Sequence, residues 1–327
     1  MSKIKILITG SSGYIGSCLN IYLKKSFEVY LIDKEPYQKW SKVSKKYFYR
    51  CDLKNKIKFK KFILQIKPDI IIHLAGQSTV DESISWKNYN DNNYLVTKNI
   101  LSIMNEVGIN KIIFSSTAAV YKPKDKKIYE KDVTAPSSKY GKSKLKSENL
   151  LTSNKKICSI IFRFFNVCSA LKKPLIGEYH KPETHLIPIM ISKFSKNKVM
   201  EIFGNDYNTK DGTCIRDYIH IFDICNAIKK SIYFIKNKKC GNYKINLGSG
   251  KGYSNKEIAN IAMKLMRHKT NLQYVKKRKG DSQFLVCDIK KAKKILGWKP
   301  QKSTIKNIIL NEIYWNKYLL KKNVSRV

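Results

Sequence analysis

The 327-residue chain predicts an α/β fold: a doubly wound parallel sheet with a second, smaller α/β lobe. Three observations lead there. Short apolar, β-branched runs alternate with helical stretches through the first half. The first of these runs opens directly into a glycine-rich turn. After about residue 168 the alternation gives way to a looser, proline-punctuated pattern.

Taken in order, strands are expected at Ile4–Thr9, Glu28–Asp33, Tyr47–Cys51, Asp69–Leu74, Lys111–Ser115 and Cys158–Phe165. Helices are expected at Tyr14–Lys25, Asn88–Val107 and Lys139–Leu151. Nearly all-apolar strands separated by helices are covered on both faces, as in a parallel sheet. The opening MSKIKILITG has too short an apolar run for a signal peptide and reads as the first strand. Beyond residue 168, Pro174, Pro182 and Pro188 mark a loop-rich stretch. Helices then follow at Leu186–Lys196, Phe222–Ile235, Asn255–Met266 and Thr304–Tyr318. Ser254-Asn255-Lys256-Glu257 is a capping box ahead of the apolar face Ile258, Ile261, Ala262 and Leu265.

Composition narrows the function classes. The net charge is +41, with 65 lysines and arginines, but only six are arginine. A nucleic-acid reader relies on arginine for paired base and phosphate contacts, whereas here lysine is spread through every segment. No specific nucleic-acid partner is expected, and no apolar run is long enough to span a membrane. The eight cysteines (Cys18, Cys51, Cys158, Cys168, Cys214, Cys225, Cys240 and Cys287) include no CxxC pair. Free thiols in a reducing cytoplasm are expected, and no metal site.

Strand Ile4–Thr9 runs into Gly10-Ser11-Ser12-Gly13-Tyr14-Ile15-Gly16, which opens a helix. Glycines let backbone amides approach a pyrophosphate, and the helix N-terminus stabilises its charge. The second strand ends in Asp33, 23 residues after Gly10. A carboxylate there accepts from the ribose hydroxyls and repels a 2′-phosphate, which favours NAD over NADP and makes the sheet Rossmann-type. Asp52, followed by Leu53, stands where an acid can meet the adenine amino group. After His73, read as structural, the small residues of Leu74-Ala75-Gly76 let the cofactor pass close to the backbone. The NAD-binding domain is therefore placed over residues 1–168. The substrate lobe covers 169–327, with parts that can cross back to the first.

Tyr140 and Lys144, in Tyr140-Gly141-Lys142-Ser143-Lys144, stand one turn apart on one helix face. A phenol near its reference pKa of about 10 is a poor base at neutral pH. A neighbouring ammonium and a positive nicotinamide ring both favour the phenolate. The preceding strand ends in Ser115-Ser116-Thr117, which puts hydroxyls at the carboxyl edge where α/β ligands bind.

With these motifs the chain resembles the extended short-chain dehydrogenase/reductase family, and within it the UDP-glucose 4-epimerase branch. The likeness runs over nearly the whole chain, through TGSSGYIGS, FSSTAAVY, KYGKSK and RFFN. It continues in GEYHKPETHLIP, IFGNDYNTKDGTCIRDYIHIFD, NLGSGKGYSNKEI and RKGD. The resemblance implies NAD-dependent 4-epimerisation of a UDP-hexose through a transient 4-keto sugar, either the glucose/galactose pair or the N-acetylhexosamine pair. It implies Tyr140 as base, Lys144 as the residue that tunes it, and Thr117 at the sugar 4-hydroxyl. Gly10, Gly13, Tyr14, Ile15, Gly16, Asp33, Asp52, Leu53, Leu74, Ala75, Gly76, Asn93, Ser115, Tyr140, Lys144 and Phe164 would hold NAD. Thr117, Asn166, Leu186, Phe203, Arg216, Arg278 and Asp281 would hold the UDP-sugar, the arginines gripping the diphosphate. Leu285 falls at the position that sets room around the sugar 2-substituent. A homodimer through helices Asn88–Val107 and Lys139–Leu151 is implied as well.

Several positions depart from the family pattern. Ser78 stands where many epimerases carry a lysine, Lys122 replaces a glycine, Val167 a proline and Phe164 a frequent tyrosine. Nucleotide-sugar dehydratases of this family carry an Asp-Glu pair just after the active-site threonine, and decarboxylases usually carry a glutamate there. This chain has Ala118 and Ala119 instead. The alternatives are one of those two chemistries or a non-catalytic nucleotide-binding protein. The set of Thr117, Tyr140 and Lys144 argues against the last.

Overall fold

The computed structural model describes residues 3–37, 47–173, 175–180, 182–238, 240–278 and 281–324. Pro174, and Lys181, Lys279 and Gly280 of the quoted motifs, lie outside the described residues.

Seven parallel strands form the main sheet. In chain order they are β1 (Lys5–Thr9), β2 (Glu28–Asp33), β3 (Phe48–Arg50), β4 (Ile70–His73), β5 (Lys111–Thr117), β6 (Cys158–Phe164) and, much later, β12 (Gly241–Leu247). Their spatial order is β12-β6-β5-β4-β1-β2-β3, parallel throughout. The chain steps in opposite directions from β1, so a crevice opens between the carboxyl ends of β1 and β4, where open α/β sheets take their ligands.

Alternation along β1 shows how the sheet is covered. Ile6 and Ile8 join a core with Cys18 and Leu19 of α1 (Tyr14–Leu23) and Ile224 and Ile228 of α7 (Ile221–Lys236). Leu7, between them, joins the opposite core with Phe59 of α2 (Lys56–Ile66) and Ile100 and Met104 of α4 (Val96–Val107). Side chains of period two feed two layers, and each fully buried Ile or Leu contributes about 1.5–3 kcal/mol.

The predicted strands and helices of the first half are present, with two differences that matter for the site. β5 extends to Thr117 rather than stopping at Ser115. The helix expected over Asn88–Val107 is broken into α3 (Trp86–Tyr89), a π-helical turn Asn90–Leu95, and α4. A π turn widens the helix by one residue and re-aims side chains, and it is often found at functional sites. Here it carries Asn93. α5 (Lys139–Ser153) holds the Tyr140 motif.

The rest of the chain builds small sheets. β8 (Ala170–Lys172) and β9 (Leu175–Gly177) form an antiparallel pair. β10 (Met200–Phe203) runs parallel to β14 (Leu272–Val275). β11 (Ile215–His220) pairs with β7 (Asn166–Cys168), β13 (Gly252–Ser254) and β15 (Phe284–Leu285). Residues of α6 (Leu186–Ser195), α8 (Asn255–Met266) and α10 (Ile305–Lys321) enclose a third core, and α9 (Lys290–Leu296) adds to the first. The capping box at Ser254 and Glu257 is formed as the spacing predicts. Among the described residues no helix is long and apolar enough to cross a membrane.

Candidate active site

The glycine turn is fixed by close backbone contacts. Gly10 has φ +69°, and a Cβ there would lie 2.6 Å from the Ala75 amide nitrogen. A Cβ at Gly16 would lie 2.3 Å from the Gly10 carbonyl oxygen. Gly13 is exposed and caps α1 with no side-chain hydrogen bond, so the first-turn amides that open the helix remain available to an anion. Tyr14 Oη donates to the Ser169 carbonyl at 2.6 Å, and Ile15 packs on the first core. Asp33 accepts from the amides of Ser12 at 2.9 Å and Glu35 at 3.0 Å, which fastens the glycine turn to the end of β2. Burial raises its pKa, opposed by those same amides.

Across the crevice, Leu74 and Ala75 are half-buried and follow β4. Gly76 sits against the next group: a Cβ there would lie 2.5 Å from Asn93 Oδ1 and 3.5 Å from Lys144 Nζ. Asn93 donates to Ser143 Oγ at 2.8 Å and accepts from the Gln77 amide at 2.8 Å. Lys144 Nζ donates to the Ser115 carbonyl at 2.9 Å. Gly76, Asn93, Ser115 and Lys144 therefore form one wall. His73, behind it, is fully buried and bonded through Nδ1 to Thr9 Oγ1 at 2.8 Å and through Nε2 to Thr97 Oγ1 at 3.1 Å. Burial, helped by the Lys144 charge, pulls its pKa down to about 3. It is a neutral structural histidine, in keeping with its reading from sequence.

Thr117, the last residue of β5, and Tyr140, in the first turn of α5, come together, with the Thr117 hydroxyl near enough to the phenol to bear on its acidity. Burial pushes the phenol up to about 12, and the Thr117 hydroxyl pulls the other way. Burial pulls the Lys144 ammonium down to about 8, opposed by Glu148. Gly141 permits this approach, since a Cβ there would lie 2.3 Å from the Ala119 carbonyl oxygen. Ala118–Val120 forms a single 3-10 turn with no acid in it.

A second set gathers around β11. Arg216 Nη2 donates to Asp281 Oδ1 at 2.7 Å, and its neighbour in register on β15 is Leu285. The Arg278 guanidinium lies 3.9 Å from the centre of the Phe203 ring. Asn166 of β7 pairs with Tyr218 on the same strand as Arg216, and β7 begins two residues after β6 ends. That short link joins the arginine set to the sheet bearing Thr117. Leu186 is half-buried at the start of α6, against the third core.

Other predicted residues stand apart from these groups. Leu53 is buried in the second core, and Asp52 bonds the Lys54 amide at 2.9 Å within its own turn. Phe164 packs in the first core. Sequence reasoning missed the supports: Ser143 beneath Asn93, Glu148 of α5 paired with Arg163 of β6, and Asp217. Asp217 is fully buried beside Arg216 and accepts from Ser249 and Gly250 amides at 2.6 and 3.0 Å. An acid following an arginine on a strand was the available signal, since alternation turns it inward.

Residues 6–248 match the family described as NAD dependent epimerase/dehydratase. A UDP-glucose 4-epimerase of Streptococcus mutans is 37% identical over 331 residues, covering 95% of this chain and 96% of that protein. A crystal structure of a UDP-glucose 4-epimerase superposes with TM-score 0.89 at 34% identity, covering 98% of this chain and 99% of that one. The UDP-Glc/GlcNAc 4-epimerase of Campylobacter jejuni superposes with TM-score 0.78 at 32% identity, covering 96% and 99%.

Proposed function

The chain belongs to the NAD dependent epimerase/dehydratase family, and from that premise we propose that it interconverts the C4 epimers of a UDP-hexose. The observation that carries this reading is the meeting of the Thr117 hydroxyl and the Tyr140 phenol beside the Lys144 wall, with no acid in the turn that follows Thr117. An acid there would be needed to expel water from the sugar ring, so oxidation and reduction at one carbon is the chemistry left.

The cofactor fits the residues present. The open first turn of α1 at Gly13 suits a pyrophosphate, and Asp33 at the end of β2 suits a ribose diol. Gly10, Tyr14, Ile15 and Gly16 shape the turn; Leu74, Ala75, Gly76, Asn93 and Ser115 line the crevice. Asp52 and Leu53 are assigned to the adenine end and Phe164 to the nicotinamide end. When bound, NAD supplies a hydride acceptor and donor for sugar carbon 4.

Tyr140 Oη takes the proton of the 4-hydroxyl and returns it in the second half of the cycle. Thr117 Oγ1 holds the same hydroxyl and orients the phenol. Lys144, anchored on the Ser115 carbonyl, lends positive potential to the phenolate and holds the ribose. Arg216 and Arg278 bind the diphosphate, with Asp281 and Phe203 fixing their planes. Asn166 and Leu186 complete the nucleotide pocket. In this reading residues 1–168 bind NAD and 169–327 bind the UDP-sugar, with β12 and α7 of the second part completing the first sheet.

Both sugar pairs belong to the proposal. The likeness to a UDP-Glc/GlcNAc 4-epimerase and the presence of Leu285 rather than a bulky aromatic beside Arg216 support room for an N-acetyl group. We place the enzyme in the cytoplasm as a homodimer through the α3–α4 and α5 helices, supported by the free cysteines and by the exposed Trp86 and Leu95. Purified protein is expected to interconvert UDP-glucose with UDP-galactose, and UDP-GlcNAc with UDP-GalNAc, in a proton NMR assay. No exchange of either pair would overturn the proposal.

A further inference from the structure

The loop between β9 and α6, which ends just before Leu186, places four ligating side chains together. Glu178, His180, Glu183 and His185 each offer one ligand atom, and these atoms lie within 4.8 Å of one another. The spacing is Glu-x-His-x2-Glu-x-His within eight residues.

We propose that this loop binds one structural Zn2+ through Glu178, His180, Glu183 and His185. The argument is geometric first. His185 Nδ1 lies 2.9 Å from Glu178 Oε1 and 3.0 Å from Glu183 Oε1; His180 Nδ1 lies 3.1 and 4.0 Å from the same two oxygens. Bonds of about 2.0–2.1 Å to a tetrahedral zinc separate ligand atoms by roughly 3.3 Å, in the middle of that range. Two carboxylates and two neutral imidazoles also balance the ion's charge. Carboxylate and imidazole ligands in a tetrahedral set suit zinc better than calcium or magnesium, which need more oxygens.

A second observation points the same way. The side chains of Glu178 and Glu183 are 1% and 0% exposed, and Glu183 Oε2 is buried without a hydrogen-bond partner. A buried carboxylate with one oxygen left unbonded is costly, and a cation bound to that carboxylate offsets its charge and with it much of the cost. The two histidines are 36% and 49% exposed and give an ion a way in from solvent. The set is held in place from outside. The Trp315 indole of α10 donates to the Glu178 carbonyl at 2.6 Å, and Glu183 Oε1 accepts from the Thr184 and His185 amides at 2.9 and 3.0 Å.

Four protein ligands close the coordination sphere, so the ion's role is structural. It ties β9 and α10 to the start of α6, where His185 is the N-cap residue and Leu186 follows. This site is independent of the chemistry assigned to Tyr140.

The full chain, stripped with chelator and reloaded, tests it. After gel filtration the protein should retain about one Zn2+ per chain by elemental analysis. Glu183→Gln and His180→Ala should lower the retained zinc at least about tenfold. Loaded with Co2+ instead, the unmodified protein should show the intense visible bands of a tetrahedral ion; this readout needs no variant to fold. Zinc retention equal to that of the variants, no retention at all, or the weak spectrum of octahedral Co2+ would overturn the proposal.

Discussion

Glu148 and Arg163 form a buried ion pair, with Arg163 Nη2 at 2.6 Å from Glu148 Oε2 and side chains 0% and 1% exposed. Arg163 Nε also bonds Glu148 Oε1 at 2.9 Å, and Ser116 Oγ bonds the same oxygen. Glu148 stands one turn beyond Lys144 on α5, Ser116 one residue before Thr117 on β5, and Arg163 on β6. The pair therefore locks together the elements that carry Thr117, Tyr140 and Lys144.

Removing one partner strands the other charge. Arg163→Met is expected to lower unfolding free energy by about 3–5 kcal/mol in urea denaturation. Arg163→Met with Glu148→Leu should recover part of that loss, because no lone charge is then buried. A single variant as stable as the unmodified protein would remove the pair from this account.

The buried His73 sets an acid limit. Its pKa is about 3 in the fold against an ordinary 6.5. The unfolded chain therefore takes up a proton below pH 6.5 that the folded chain refuses. Stability is kept above 6.5 and lost as pH falls towards 3, by up to about 1.4 kcal/mol per pH unit from this group. His73→Gln should flatten the fall between pH 6.5 and 3 in pH-dependent denaturation. An unchanged slope would assign the acid sensitivity elsewhere.

Arg216 donates to Asp281 from Nη2 alone, and lysine cannot reproduce the two parallel bonds that a guanidinium can make to a diphosphate. Arg216→Lys is expected to weaken UDP binding by roughly 10- to 100-fold in calorimetry, about 1.4–2.8 kcal/mol. NAD retention should be unchanged.

Leu285 lies in register with Arg216, and the proposed function gives it the role of setting room around the sugar 2-substituent. Leu285→Tyr should lower kcat/KM for the N-acetylhexosamine pair by roughly 10- to 200-fold, with a small effect on the glucose/galactose pair. Parallel progress curves with both pairs check it.

Much of the fold was legible because its strands are local signals. Ile70–His73 and Cys158–Phe164 are almost unbroken apolar runs, and Gly10 and Gly13 follow a strand and open a helix. β12 was not expected. Gly241-Asn242-Tyr243-Lys244-Ile245-Asn246-Leu247 mixes polar with apolar residues and pairs with β6 from more than 70 residues away, which no local pattern encodes. The π turn at Asn90–Leu95 was equally hidden, since its polar run gives no sign of a changed helical repeat. At the site, Tyr140, Lys144 and Thr117 were legible from spacing and order. The links beneath them were not. Asn93 to Ser143 and Glu148 to Arg163 span 50 and 15 residues, and no local pattern pairs them, although Asn93 itself was assigned to the cofactor by resemblance.

The phenol of Tyr140 carries the whole proposal, and one substitution isolates it. Tyr140→Phe keeps the ring and removes only the hydroxyl that faces Thr117. Epimerisation by the purified variant should fall at least about 10²–10⁴-fold, the usual contribution of a positioned acid–base group, while bound nucleotide released on denaturation stays at the unmodified level. Turnover within a few-fold of the unmodified enzyme would contradict the assignment of Tyr140 as the base.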